Sequence, residues 1–220
     1  MAKAQEIVAQ LRRIGTARNR EGIKRFGIYV GNAVGVSVTD LRKMGRLLGR
    51  DHKLSQELWR SGVHEARILA SIVDEPSRVT EAQMERWVRD FDSWDLCDQV
   101  CGNLFDKTPF AYDKAAEWSE RRPEFQKRAG FALMACLAWH DKDASDARFR
   151  GFLPLIEREA GDDRNFVKKA VNWALRQIGK RSPGLRRSAI ASAKRIAKQG
   201  SRSARWIASD ALRELNKTAS

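Results

Sequence analysis

Cysteine is scarce in this 220-residue sequence, which has three. Cys97, Cys101 and Cys136 fit neither a disulfide framework nor the ligand spacing of a zinc site, so we expect buried thiols and no metal. No run reaches the roughly 18 apolar residues of a membrane span. Met1 leads into an amphipathic helical pattern and not into a signal peptide. These absences predict a cytoplasmic protein without membrane association.

Glycine-rich phosphate loops are also missing. The segment Gly31–Gly35 has neither the preceding strand nor the lysine that such a loop needs, so nucleotide hydrolysis is not indicated and no cofactor is expected. The histidines lack neighbours arranged as a catalytic triad or a metal site, and we predict solvent-exposed or capping roles for them. They are His52, His64 and His140.

Helical periodicity takes up nearly the whole chain, and strand-like alternation is almost absent. Short loops with Gly, Pro, Asp or Ser separate the helices, and Ser182 before Pro183 is typical of a helix start. The predicted helices are 3–15, 18–31, 39–48, 54–60, 63–74, 80–90, 93–105, 109–120, 123–138, 146–160, 164–179, 183–198 and 202–216. The pattern therefore predicts an all-α fold.

The sequence also repeats itself. Trp173–Lys180 and Asp210–Lys217 share Ala, Leu, Arg and Lys in one register, 37 residues apart, and Phe125–Ala129 resembles Phe166–Ala170 at a spacing of 41. A period near 40 with two helices per unit is typical of HEAT-like repeats, which predicts a single domain, 1–220, shaped as a curved solenoid. Small residues are expected to let its inner helices approach closely: Ala66, Ala70, Ala129, Ala132, Ala135, Ala170, Ala174, Ala208 and Ala211. An ordinary helical bundle is the alternative.

Positive charge is concentrated near the C-terminus. The net charge is +14, and residues 161–220 carry 15 basic against 4 acidic residues, an excess of 11. Such asymmetry favours a polyanionic partner, although a solvated cationic surface has the same composition. Arg67, Arg128, Lys169 and Arg205 occupy corresponding places in successive inner helices. They predict a basic concave face that follows a phosphate backbone.

Two groups of residues are candidates for contact with a cation or a nucleotide. Trp94 and Asp98 are spaced i, i+4, so that an indole and a carboxylate lie side by side; this pair suits a cationic ligand. Lys169, Trp173 and Arg176 share another helical face, where a tryptophan among cations suits a sugar-phosphate ligand. Core packing of either tryptophan is the alternative. The remaining tryptophans are predicted to be core aromatics of the repeats: Trp59, Trp87, Trp118, Trp139 and Trp206.

Five segments carry a resemblance to a known family: Phe26–Val36, Leu58–Trp59 with Glu65–Ala66, Ser93–Asp98, Gln126–Ala129 and Lys168–Arg176. Together they resemble the AlkD-like DNA alkylation-repair glycosylases, which are built of HEAT-like repeats, and they span nearly the whole chain. The segment with the sequence Trp-Asp-Leu-Cys-Asp is similar to the family's Trp-Asp-x-x-Asp motif, although Ser93 stands where the family often has a second tryptophan.

The resemblance implies a monofunctional DNA glycosylase of base excision repair that acts on N3- or N7-alkylated purines in double-stranded DNA. It implies that Asp98 stabilises the developing sugar cation and orients water between Trp94 and Trp173. It also implies that basic side chains hold the DNA backbone, namely Arg128, Lys169 and Arg176. A monomer is expected, in a bacterial cytoplasm and associated with the nucleoid when it is bound to DNA. Two alternatives stay open: a repeat protein that binds damaged or branched DNA without excising a base, and a scaffold for an acidic protein.

Overall fold

The computed structural model describes residues 2–217, and the chain divides after Thr108 into two compact units. We call these unit 1 and unit 2; the expectation of a single domain, 1–220, stays a prediction. Unit 1 contains seven α-helices and the short 3-10 helices Pro76–Arg78 and Phe105–Lys107. The α-helices are α1 (Ala2–Ile14), α2 (Ala17–Lys24), α3 (Val38–Leu48), α4 (His52–Arg60), α5 (His64–Val73), α6 (Glu81–Arg89) and α7 (Trp94–Asn103).

The core of unit 1 contains a cluster of aromatic rings beneath these helices. The indoles of Trp59 on α4 and Trp87 on α6 stack in parallel with their centroids 3.8 Å apart. Phe91 and Phe105 lie against them with tilted rings. The Trp59 ring nitrogen donates a hydrogen bond to Asp90 at 2.8 Å, which satisfies its polar atom. This cluster joins α4 to α6 and to the segment that precedes α7.

The described part of unit 2, residues 109–217, consists of six helices in two layers. In one layer α9, α11 and α13 lie side by side, and α8, α10 and α12 cover them in the other. The helices are α8 (Ala111–Ser119), α9 (Glu124–His140), α10 (Asp146–Glu159), α11 (Asn165–Arg181), α12 (Pro183–Ala197) and α13 (Arg202–Lys217). Every alanine predicted to line the inner helices is buried, in unit 1 as in unit 2.

Small residues set the closest helix approach in unit 2. A Cβ atom added to Gly130 of α9 would lie 2.3 Å from the backbone nitrogen of Ser119 at the end of α8. Any side chain at this position would therefore push α8 away from α9. Such packing explains why α9, with twelve of its seventeen residues buried, is apolar on nearly all sides.

In unit 2, side-chain contacts agree with the period near 40 that the sequence predicts. Asn172 donates to Asp210 on the next inner helix, 38 residues further on, and the same spacing joins Arg128 to Phe166. In unit 1 the corresponding contact between α5 and α7, from His64 to Asp95, joins residues 31 apart. The repeats of unit 1 are thus shorter than those of unit 2.

The local predictions are confirmed with one exception. The described part of the chain has thirteen α-helices and no strand, Ser182 caps α12 by accepting a hydrogen bond from Leu185, and the three thiols are buried. The predicted helix 18–31 is wrong, because α2 ends at Lys24. Gly27 follows in the left-handed region, with φ of 73°, which an α-helix cannot continue through.

Candidate functional site

Trp94 and Asp98 lie one turn apart on α7, as the sequence predicts. Trp94 is the first residue of the helix, and both side chains are half-buried. The opposite face of the helix carries Leu96, Cys97 and Val100, all fully buried. The polar face of α7 therefore presents an indole beside a carboxylate.

The Trp94 indole is fixed in position by a loop that the resemblance also covers. Its ring nitrogen donates a hydrogen bond to the carbonyl oxygen of Phe26 at 3.0 Å. Phe26 belongs to the irregular segment between α2 and α3, and its own ring is exposed. One edge of the indole is thus held by the backbone, which limits rotation of the ring about its side-chain bonds.

A buried histidine–carboxylate pair holds the first turn of α7. His64 Nε2 and Asp95 Oδ2 are 2.9 Å apart, and His64 is 5% exposed. Burial lowers the pKa of His64, but the hydrogen bond and charge of Asp95, with Glu65 and Asp92, outweigh it and raise the pKa. Burial raises the pKa of Asp95, but His64 outweighs this and lowers it. Both shifts favour the charged pair.

Glu65, next along α5, binds the backbone of the loop before α3. Its carboxylate accepts hydrogen bonds from the amides of Val34, Gly35 and Val36, the shortest at 2.6 Å from Gly35. Gly35 has φ of 87°, and a Cβ there would lie 2.2 Å from the carbonyl oxygen of Thr16. The start of α5 therefore fixes this loop and the start of α7 together.

A cavity of about 600 Å³ lies beside this junction. His64 and Asp95 form part of its lining, together with Arg18 of α2 and Arg25, which follows that helix. Both arginines are exposed. The lining therefore contains two exposed cations as well as the charged pair.

The His64–Asp95 pair predicts a pH-dependent stability of unit 1. The pKa of His64 is raised above 6.5, so its contribution is complete below that pH and is lost as the pH rises through the raised pKa. The pKa of Asp95 is lowered below 3.8, so its contribution is present above that value and is lost as the pH falls through the lowered pKa.

We expect the urea midpoint to fall more in the wild type than in His64→Gln as the pH rises from 6.5 into the alkaline range. The variant keeps an amide donor but has no charge to lose. The check is urea unfolding of both proteins across that range. A difference in the free energy of unfolding that stays constant with pH would contradict a charged pair.

In unit 2, Lys169, Trp173 and Arg176 lie on one face of α11, as their spacing predicts. Lys169 is exposed, Trp173 and Arg176 are half-buried, and Ala174 lies on the buried side. The guanidinium of Arg176 pairs with Glu214 on α13 and lies 3.5 Å from Asp210. The structure thus shows Lys169 as a solvent-facing cation, and Arg176 as one whose charge α13 largely balances.

The four cations that were predicted to form a ladder differ in their exposure to solvent. Arg128 is 5% exposed and donates to the carbonyl oxygen of Phe166 at 2.6 Å, which places it at the start of α11. Arg67 in unit 1 lies over the Trp59 ring and 3.6 Å from an Asp90 carboxylate oxygen. Lys169 and Arg205 are exposed. The two ladder positions with free access to solvent are therefore both in unit 2.

Three sequence-based expectations are wrong. His64 is a buried partner of Asp95 and has neither a solvent nor a capping role. Trp139 and Trp206 are 59% and 40% exposed, so neither is a core aromatic; Trp59, Trp87 and Trp118 are buried as predicted. The role of Glu65 was not predicted, because nothing in the sequence links a glutamate to a loop about 30 residues earlier.

Residues 2–217 contain no cluster of three or more His, Cys, Asp or Glu side chains suited to a metal ion. Within the same residues, no helix combines the length and the apolar character of a membrane span.

Comparison with solved structures identifies the class of fold. The chain superposes with a TM-score of 0.81 on a protein described as belonging to a new family related to the HEAT-like repeat DNA glycosylases, with affinity for branched DNA structures. The two sequences are 18% identical, and the match covers 97% of this chain and 94% of the other. The all-α fold of this chain is therefore the HEAT-like repeat fold.

The sequence itself identifies the family. Residues 7–215 match the family described as DNA alkylation repair enzyme, which is nearly the whole chain. The protein belongs to this DNA alkylation repair family. No curated protein matches the sequence.

Proposed function

We propose that the protein is a DNA glycosylase that hydrolyses the N-glycosidic bond of cationic N3- or N7-alkylated purines in double-stranded DNA. The observation that carries the proposal is the pairing of Trp94 with Asp98 on the polar face of α7. A protein that only binds phosphates gains nothing from a carboxylate on its ligand-facing side, because the two repel. Membership of the DNA alkylation repair family supports the same function.

The main requirement for hydrolysis of this N-glycosidic bond is a negative electrostatic environment next to the deoxyribose. An alkylated purine is already a good leaving group, and positive charge develops on the deoxyribose as the bond breaks. A fixed carboxylate stabilises this charge without reorganising. Asp98 supplies it and orients the attacking water, and the ring face of Trp94, held by Phe26, adds a cation–π contribution.

In unit 2 we assign Trp173 as a second aromatic group next to the sugar and Lys169 as a contact to the DNA backbone. Lys169 has the exposure that such a contact requires. Arg128 orders the start of α11 through Phe166 and so positions Lys169, and Arg176 contributes the part of its charge that Glu214 and Asp210 leave unbalanced.

A binding protein without base excision is the second candidate. It is favoured by the structural relative, which is described by its affinity for branched DNA structures. The two candidates differ in one measurable property, the release of a base.

The test is base release from methylated double-stranded DNA. We expect the purified protein to release 7-methylguanine or 3-methyladenine faster than the same DNA loses them spontaneously, under single-turnover conditions with the products separated by chromatography. Release at the spontaneous rate, together with salt-sensitive DNA binding, would contradict the glycosylase and support the binding protein.

A further inference from the structure

Trp206 lies on the surface of unit 2 within a cluster of cations. The indole is 40% exposed, although the ammonium of Lys168 lies over the ring, 5.1 Å from its centroid. Arg202 and Arg205 precede it on α13 at the i−4 and i−1 positions and are both exposed, so that the three side chains share one side of the helix. We call Lys168, Arg202, Arg205 and Trp206 the Trp206 patch.

Arg205 is also one of the exposed ladder cations, but Trp206, Lys168 and Arg202 belong to no site described above. Trp173 and Asp98 are the groups assigned to the damaged nucleotide, and neither is part of the patch. Nor does the ring serve the core: the inward face of α13 is filled by Ile207, Ala208 and Ala211, which are buried. An exposed indole loses the free energy of burying its large apolar surface, so the patch suits a ligand that covers the ring.

The chemistry of the patch selects the ligand. Cations attract a phosphate backbone, but an indole gains little from phosphate and much from stacking on a nucleobase. Bases inside a duplex are already stacked on each other and expose only their edges, whereas unpaired bases have free faces. We infer that the Trp206 patch binds unpaired nucleotides of DNA, with a base stacked on Trp206 and the adjoining phosphates held by Lys168, Arg202 and Arg205.

This inference rests on the proposed binding of DNA but not on base excision. It gives the protein a second contact, to the single-stranded part of a fork, gap or flap. The surrounding charge supports it, because residues 161–220 carry the excess of 11 positive charges.

The test compares two DNA probes by fluorescence anisotropy: a blunt duplex and the same duplex with a single-stranded dT arm of about ten nucleotides, within the usual site size. For the wild type we expect tighter binding of the probe with the single-stranded arm. Trp206→Ala should lower the ratio of the two affinities about tenfold, the effect of losing one base–aromatic stack. Trp206→Phe should keep most of it, since phenylalanine also stacks.

Trp139→Ala is the matched control. Trp139 is 59% exposed in the same unit, but it stacks on His140 and no Lys or Arg among residues 2–217 lies over its ring, so its loss should leave both affinities unchanged. Equal weakening of both probes by Trp206→Ala, or an unchanged ratio, would overturn the inference. So would a wild type that binds both probes equally. Because the readout is binding, the inference stands or falls separately from base release, and thermal unfolding checks that each variant is folded.

Discussion

Asp98→Asn is expected to lower the rate of alkylpurine release about a thousandfold while DNA affinity is kept. The estimate follows from a unit charge about 4 Å from the developing sugar cation, which is stabilised by about 4 kcal/mol at the effective dielectric of a protein surface. Asparagine has the same shape but no charge, and removing a negative group from a phosphate-binding face does not weaken binding. Single-turnover release and anisotropy binding measure the two effects.

Asp113→Asn is the control for Asp98→Asn. Asp113 is an exposed aspartate of α8, and its loss changes the net charge equally without touching α7. We expect it to release bases at the wild-type rate. Equal release by Asp98→Asn and the wild type would remove Asp98 from the reaction, and parallel loss of release and affinity would assign it a role in binding.

The fold could be predicted because its signals are local. The period near 40, the buried alanines and the cap at Ser182 each depend on residues a few positions apart, or on a repeat that the chain shows twice. The prediction of a helix over 18–31 was wrong because the second half of that segment does not depend on local signals. The residues from Phe26 to Val36 are held by contacts with Glu65 and Trp94, and those contacts join residues about 30 to 70 positions apart.

Part of the candidate site could also be predicted, because that part depends on local spacing along one helix. The i, i+4 spacing of Trp94 and Asp98 places them together on any helix, and the structure confirms it. The partner of Asp95 could not be read, because His64 lies on a different helix. Arg128 appears in the sequence only as a cation. The packing of α9 against α11 decides that it is buried and directed at the carbonyl of Phe166.

The exposed tryptophans illustrate a limit of periodicity. A helical pattern shows which face a ring occupies, but it does not show whether a neighbouring helix covers that face. Trp118 and Trp139 both lie in the pair formed by α8 and α9, and the first is buried whereas the second is 59% exposed.

Glu65→Ala is expected to lower the free energy of unfolding of unit 1 by about 4 kcal/mol. This is the size of loss expected when a buried charged acceptor is removed and its donors are left without an acceptor. Glu65 is 2% exposed, and its carboxylate is the acceptor for three successive backbone amides. Alanine removes the acceptor and leaves these amides without it. Urea unfolding at constant pH should show a lower midpoint with an unchanged slope.

Glu65→Gln separates charge from shape. Glutamine has one acceptor oxygen in place of two, and its amide group would present donors to backbone donors, so it should recover only a minor part of the loss. Glu6→Ala on the exposed side of α1 is the control and should change stability by less than about 0.5 kcal/mol. Full stability of Glu65→Gln would show that the carboxylate charge is not needed.

Because Glu65 adjoins His64, which pairs with Asp95 on α7, loss of the Glu65 carboxylate should also reduce base release at temperatures where the variant is still folded. A folded Glu65→Ala protein with wild-type release would show that α7 keeps its position without the loop.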